Sequence, residues 1–245
     1  MGRFKFDDGV GKMSKLNLKN YVAEKMLHEI YTPKKYEKNC EELPETCEDY
    51  KEIEKILKEY AREFKEEMNR RAVLIVLDSL SREKKRLIKL KYGEQKQLVS
   101  VSLKLNVSIA QLMVWNQNII EKITECMMYR LTREDIYCKK KILGMLEMMT
   151  LTINFFSELS VEYKQVRQNW LEELRRKRTN YQNLLNWLEK FERKKVEGNY
   201  EKAILAKMRN PNGTNKEIAT ACNLHKATVS RFLKKFEEMM SGYLK

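Results

Sequence analysis

GTNKEIATACNLHKATVSRFLKKF, residues 213–236, reads as two short helices joined by a tight turn. Thr214 or Asn215 can cap the first helix, and Glu217 follows in its first turn, where the backbone N–H groups lack partners. Ile218 and Ala219 face inward, and Ala219 is small where two helices cross. Asn223 occupies the turn, a place that needs a residue tolerant of positive φ, and Asn is second only to Gly there. Leu224 plugs the core, and a second helix begins near Lys226 with Val229, Phe232, Leu233 and Phe236 on its inner side. Its outer side carries His225, Lys226, Thr228, Ser230, Arg231, Lys234 and Lys235, with Lys216 on the preceding helix. Apolar residues inward and basic and hydroxyl residues outward suit a helix lying in the major groove of duplex DNA.

The same pattern occurs 117 residues earlier. Val101 corresponds to Ile218, Ser102 to Ala219, Asn106 to Asn223, Val107 to Leu224, Leu112 to Val229, Trp115 to Phe232 and Ile119 to Phe236. A long helix precedes each copy. One runs from about residue 47 to 77, with Tyr50, Ile53, Leu57, Tyr60 and Phe64 spaced alternately three and four apart. The other covers about 160 to 196, where Tyr163, Trp170, Leu174, Tyr181, Leu184, Leu188 and Phe191 form a heptad-like seam. Such a seam packs internally or pairs two chains in a homodimer, and both readings stay open. The expected fold is therefore all-α: two tandem units, each a long helix followed by a helix-turn-helix bundle.

Composition agrees. The 245 residues include 8 Gly and 3 Pro, too few for a turn-rich β-sandwich, and 42% hydrophobic residues, too many for a disordered chain. Residues 1–48 read as an amphipathic helix from Leu16 to Ile30, ended at Thr32-Pro33, and a loop. The first unit spans 49–132. A segment at 133–198 holds the Met-rich stretch from Lys141 to Phe156 and the second long helix, and 199–245 closes the chain with the second helix-turn-helix. The net charge of +14 builds along the chain: −1 over residues 1–49, +6 over 50–159 and +9 over 160–245. Its clusters include Lys84-Lys85-Arg86, Lys139-Lys140-Lys141, Arg175 to Arg178 and Arg193 to Lys195. A basic field of this kind favours polyanions by releasing their condensed counterions.

Leu80, Glu83, Leu87, Ile88 and Tyr92, followed by the helix-turn-helix of Val99 to Asn118, resemble region four of bacterial sigma factors. The resemblance is closer to the small sigma-region-four-like regulators of Gram-positive phages and mobile elements. Residues 216–236 resemble the same motif and also resolvase-type helix-turn-helix domains. Together the matches cover about a third of the chain. They imply transcription regulation on double-stranded DNA, with RNA polymerase as a further partner. The copies differ in their recognition helices. The first, Ser108 to Ile120, carries no Lys or Arg; it offers Ser108, Gln111, Asn116, Gln117 and Asn118 as candidate base readers, and phosphate contacts would come from Lys84, Lys85, Arg86 and neighbouring lysines. That copy is a weak DNA reader or a docking module for protein.

Nothing points to an enzyme or a cofactor. The histidines are His28, read as a partly buried packing residue, and His225 in the turn; neither has the setting of a catalytic base. Gly-rich phosphate loops and paired carboxylate motifs are missing from the sequence. Cys40, Cys47, Cys126, Cys138 and Cys222 contain no C-x-x-C pair, so free thiols are expected rather than a metal site. The longest apolar stretch, 142–156, is too short to cross a bilayer, and the opening residues have no apolar secretory core. The expectation is a cytoplasmic protein that touches no membrane. A replication or partition protein of a mobile element, and a protein-binding adaptor without DNA contact, are the alternatives.

Overall fold

A computed structural model of the chain describes residues 15–31, 50–158 and 161–244. It is 85% helical and contains no strand among the described residues. The α-helices are α1 (Lys15–Tyr31), α2 (Tyr50–Ser79), α3 (Arg82–Ile88), α4 (Leu98–Leu105), α5 (Ile109–Met127), α6 (Lys139–Glu158), α7 (Val161–Arg193), α8 (Asn199–Arg209), α9 (Asn215–Cys222) and α10 (Lys226–Met240). A π-helical turn at 89–93 extends α3, and short 3-10 turns occupy 133–137 and 241–244. The loop expected at 33–48, with Cys40 and Cys47, lies outside the described residues, as do the side chains of Tyr50, Ile53, Leu57 and Tyr163.

Local chemistry sets the helix ends. Ser81 caps α3, its Oγ accepting from the Lys84 N–H (3.5 Å). Thr132 and Asp135 form a reciprocal capping box at the 3-10 turn, and Thr214 and Glu217 form another at α9. The three long helices α2, α6 and α7 then pack side by side. Arg71–Glu147 (3.3 Å) and Lys140–Asp78 (3.0 Å) place α6 antiparallel to α2. Arg178 Nε donating to Thr150 (2.9 Å) and Arg175 donating to Ser157 (3.1 Å) place α7 antiparallel to α6. Gly144 permits the first of these approaches, because a Cβ there would sit 2.8 Å from Ile75 Cγ1. Its neighbours Met145, Met148 and Met149 are buried, as a Met stripe at helical spacing suggests.

The seam of α7 is used inside the chain. Leu174, Tyr181, Leu184 and Leu188 are buried, and the Tyr181 hydroxyl accepts from the Leu131 N–H (3.1 Å) and donates to the Tyr129 carbonyl (3.2 Å). Phe236 of α10 packs against Trp187 and Phe191 of α7 (ring centroids 5.5 and 6.3 Å), which fastens the C-terminal helices to the long-helix layer. One hydrophobic cluster runs from Ala23 of α1 to Met240 of α10. At the far end Phe64 stacks on Phe155 (3.9 Å) beside a small second cluster of Phe156 and Leu171.

Lys141 and His28 depart from the sequence reading. Lys141, counted with a basic surface cluster, is buried: its Nζ lies 2.8 Å from Asp135 Oδ1, itself buried, and makes no hydrogen bond of good geometry. The first turn of α6 points it at the capping box of the 3-10 turn, and the carboxylate offsets the cost of desolvating the ammonium. His28, read as partly buried, is exposed, with its ring edge-on to Tyr92 at 4.8 Å.

Candidate nucleic-acid interface

Two three-helix sets carry the helix-turn-helix elements. Helices α8, α9 and α10 each begin 117 residues after α3, α4 and α5, and α9 ends 117 residues after α4. The turns match as well. Asn106 and Asn223 both adopt the left-handed conformation, at φ 53° and 55°. The Val107 N–H donates to the Ser102 carbonyl (3.3 Å), and the Leu224 N–H donates to the Ala219 carbonyl (2.9 Å). Val101 and Ile218, Leu112 and Val229, and Ile119 and Phe236 are buried pairwise, whereas Trp115 and Phe232 are half-buried against the core. Ser102 and Ala219 take the helix crossing, and the Ser102 hydroxyl, half-buried there, donates to the Val107 carbonyl (2.7 Å).

Helix α10 presents the basic face. Its inner side buries Val229, Leu233, Phe236 and Met240, a contribution of about 1.5–3 kcal/mol for each large apolar side chain. Lys226, Arg231, Lys234 and Lys235 are exposed, as is Lys216 on α9. Lys226, Arg231 and Lys235 form no ion pair among the described residues; Lys234 lies 4.0 Å from Glu238 on its own helix. The stems are steadied by rings: the Arg231 guanidinium sits 5.8 Å from the Phe232 centroid, and Lys235 Nζ lies 5.9 Å from that of Tyr200.

The hydroxyl residues of α10 are less outward than their sequence reading, whereas His225 stays outward in the turn. Thr228 and Ser230 are half-buried. Ser230 Oγ accepts from Asn215 Nδ2 (2.7 Å), which ties α10 to the start of α9. Ser230 therefore stands on the flank of the helix, because its position turns it toward α9 rather than to the outer ridge. His225 is exposed and caps α10, with its Nδ1 accepting from the Ala227 N–H (3.3 Å). In the first set Ser108 caps α5 and accepts from the Gln111 N–H (3.3 Å), so its hydroxyl is held by backbone, while the Gln111 side chain is exposed.

Beside α10 lies a polar cleft of about 340 Å³, lined in part by Ser230, Lys234, Lys84, Lys122, Glu134 and Lys207. Burial, with Lys122 close by, holds Lys84 below the usual lysine range. Burial likewise lowers Lys207, whose Nζ donates to the Gly213 carbonyl (2.7 Å). The Lys122 hydrogen bond (2.9 Å) lowers Glu134. At the back of the cleft the Tyr137 hydroxyl donates to the Leu233 carbonyl and to Glu237 Oε1, both at 3.2 Å. Burial raises both Tyr137 and Glu237 above their ordinary ranges.

Sequence reading missed this cleft, because its walls come from helices far apart in the chain. It also missed the outer face of the first set, where Val99, Leu103, Ile109, Met113 and Val114 are exposed. The 117-residue offset carries that signal when it is applied to the outward positions as well as the inward ones.

The remaining chemistry is sparse. Among the described residues no group of three His, Cys, Asp or Glu could hold a metal ion. Cys126 is buried, and burial pushes its thiol up to about 12. No single described helix is long and apolar enough to cross a membrane. Comparison with protein families, with characterised proteins and with solved structures finds no match to this chain.

Proposed function

We propose that the chain is a sequence-specific, non-enzymatic DNA-binding regulator of transcription that works in the cytoplasm and reads the major groove with α10. The carrying observation is the outer face of α10. Lys226, Arg231 and Lys235 stand exposed and without ion pairs among the described residues, on the second helix of a turn closed by left-handed Asn223. An amphipathic helix held at its inner side and cationic at its outer side presents charge to phosphates and donors to base edges. Lys226 and Arg231 are the favoured readers, with Thr228 beside them; Lys234, Lys235 and Lys216 would contact phosphate. Ser230 serves the position of α10 through Asn215, and His225 serves it as a cap.

The resemblance to sigma region four supports the same reading. Of the residues that carry the resemblance, Leu80, Leu87, Ile88 and Tyr92 are buried and Glu83 is exposed. A duplication that produced both three-helix sets accounts for helix starts that share one offset.

The test is a gel-shift series on genomic fragments bound by the wild-type protein. Replacing Lys226 and Arg231 by Ala should weaken retention and flatten the salt dependence by about one unit of slope for each phosphate no longer neutralised. Unchanged binding and slope would remove α10 as the reader. Footprints over a −35 promoter element support a regulator of transcription, whereas footprints over iterated repeats support a replication or partition protein.

A further inference from the structure

The two three-helix sets carry opposite chemistry at matching outward positions. Where the C-terminal set has Lys216, Lys226, Arg231, Lys234 and Lys235, the first set has Val99, Ile109, Val114, Gln117 and Asn118, each 117 residues earlier. Every cation of the reading face is replaced by a neutral residue, and Ser230 and Thr220 are replaced by Met113 and Leu103. Among the described residues, nothing covers these apolar side chains. Leu103 is 82% exposed, Met113 and Val99 58%, Val114 52% and Ile109 39%. Val99 and Leu103 form one stripe on α4, and Ile109, Met113 and Val114 form another on α5, each at helical spacing. Scattered single exposures need no explanation, but five on one helix pair do.

We propose that this face of α4 and α5 is the interface between two copies of the chain, joined about a two-fold axis. Charge selects the occupant. Each copy carries +14, so two copies repel wherever their basic surfaces meet. The α4–α5 face has lost its cations, and the lysines of α4 and the preceding loop are already held: Glu94 lies 2.6 Å from Lys96 and 3.9 Å from Lys104. A patch that meets itself must be self-complementary, and a neutral apolar patch edged with Gln111, Gln117 and Asn118 satisfies that requirement. The other candidate seam, on α7, is consumed inside the chain. The dimer would carry two α10 ridges, but its existence does not depend on what α10 binds.

Sedimentation equilibrium of the full chain without DNA tests this. At micromolar concentration and moderate salt the wild type should run at twice the chain mass of 29.4 kDa. The double variant I109K/V114R installs the residues that α10 carries at the same positions, so a helix-turn-helix already tolerates them. It should run as a monomer with an unchanged helical circular dichroism spectrum. M113E is a second, single-site route to the monomer, and L74E, at an exposed position on α2, should leave the dimer intact. A monomeric wild type overturns the proposal, and so does a dimer that survives both I109K/V114R and M113E. Loss of DNA retention in M113E with a monomeric wild type would assign the face to thymine methyl groups instead.

Discussion

Asn223 and Asn106 show how much one side chain settles in this protein. Each takes the left-handed conformation between two helices, and each lets the following apolar residue, Leu224 or Val107, turn back to the core. A Cβ-bearing residue without the short polar side chain of Asn is strained there. Asn223→Ala should therefore lower stability by about 1–2 kcal/mol, while Asn223→Gly should stay within a few tenths of the wild type. Urea unfolding of the two variants checks this, and equal midpoints for Ala and Gly would refute it. The asparagines and the apolar residues around them were legible because spacing alone exposes them. The Lys141–Asp135 pair was not, because a Lys within Lys139-Lys140-Lys141 looks solvated until α6 meets the 3-10 turn.

Helix α10 is defined as much by what docks its inner side as by its basic ridge. Phe236 stacks on Tyr137 (5.3 Å) and meets Trp187, and Glu237 is drawn into the same junction by the Tyr137 hydroxyl. Burial holds the Glu237 carboxyl above its ordinary range, so the fold favours its neutral form. As pH rises through the ordinary carboxylate range the unfolded chain releases this proton while the folded chain retains it. Glu237 thus costs stability at neutral pH and not in acid. Glu237→Gln keeps an acceptor for Tyr137 and removes the titration. Its melting temperature should exceed that of the wild type at pH 7, with the difference fading as the pH falls below the carboxylate range. A difference independent of pH would mean that burial of the charge is not the cause. Helix α5 makes the contrast: its inner side repeats that of α10, with Leu112 and Ile119 buried, but its outer side bears Val114 in place of Arg231, and exposed Met113 stands where α10 has the flanking Ser230.

Over the entire chain, the two three-helix sets do not stand apart on a linker. A single apolar cluster links α1 to α10 through α2, α6 and α7. Long-range ties fasten each set to the long helices: Tyr181 of α7 bonds the 129–131 turn that follows α5, and Asn212, between α8 and α9, donates to the Ser79 carbonyl at the end of α2 (2.7 Å). Unfolding should accordingly be one cooperative transition. Far-ultraviolet circular dichroism, which reports every helix, should coincide in urea midpoint with the fluorescence of Trp115, Trp170 and Trp187, which lie on α5 and α7. Two resolved transitions would show that the sets fold independently.

Helix content, the two turns and the inward residues of both three-helix sets follow from local rules: apolar spacing, caps and the rarity of positive φ. These act within a few residues, so the chain's own order carries them. The use of the α7 seam, the burial of Lys141, the inward turn of Ser230 and the bare apolar face of α4 and α5 depend on which helices meet across a hundred residues or more. That outcome depends on competition among several apolar faces for partners, and no local pattern ranks those partners.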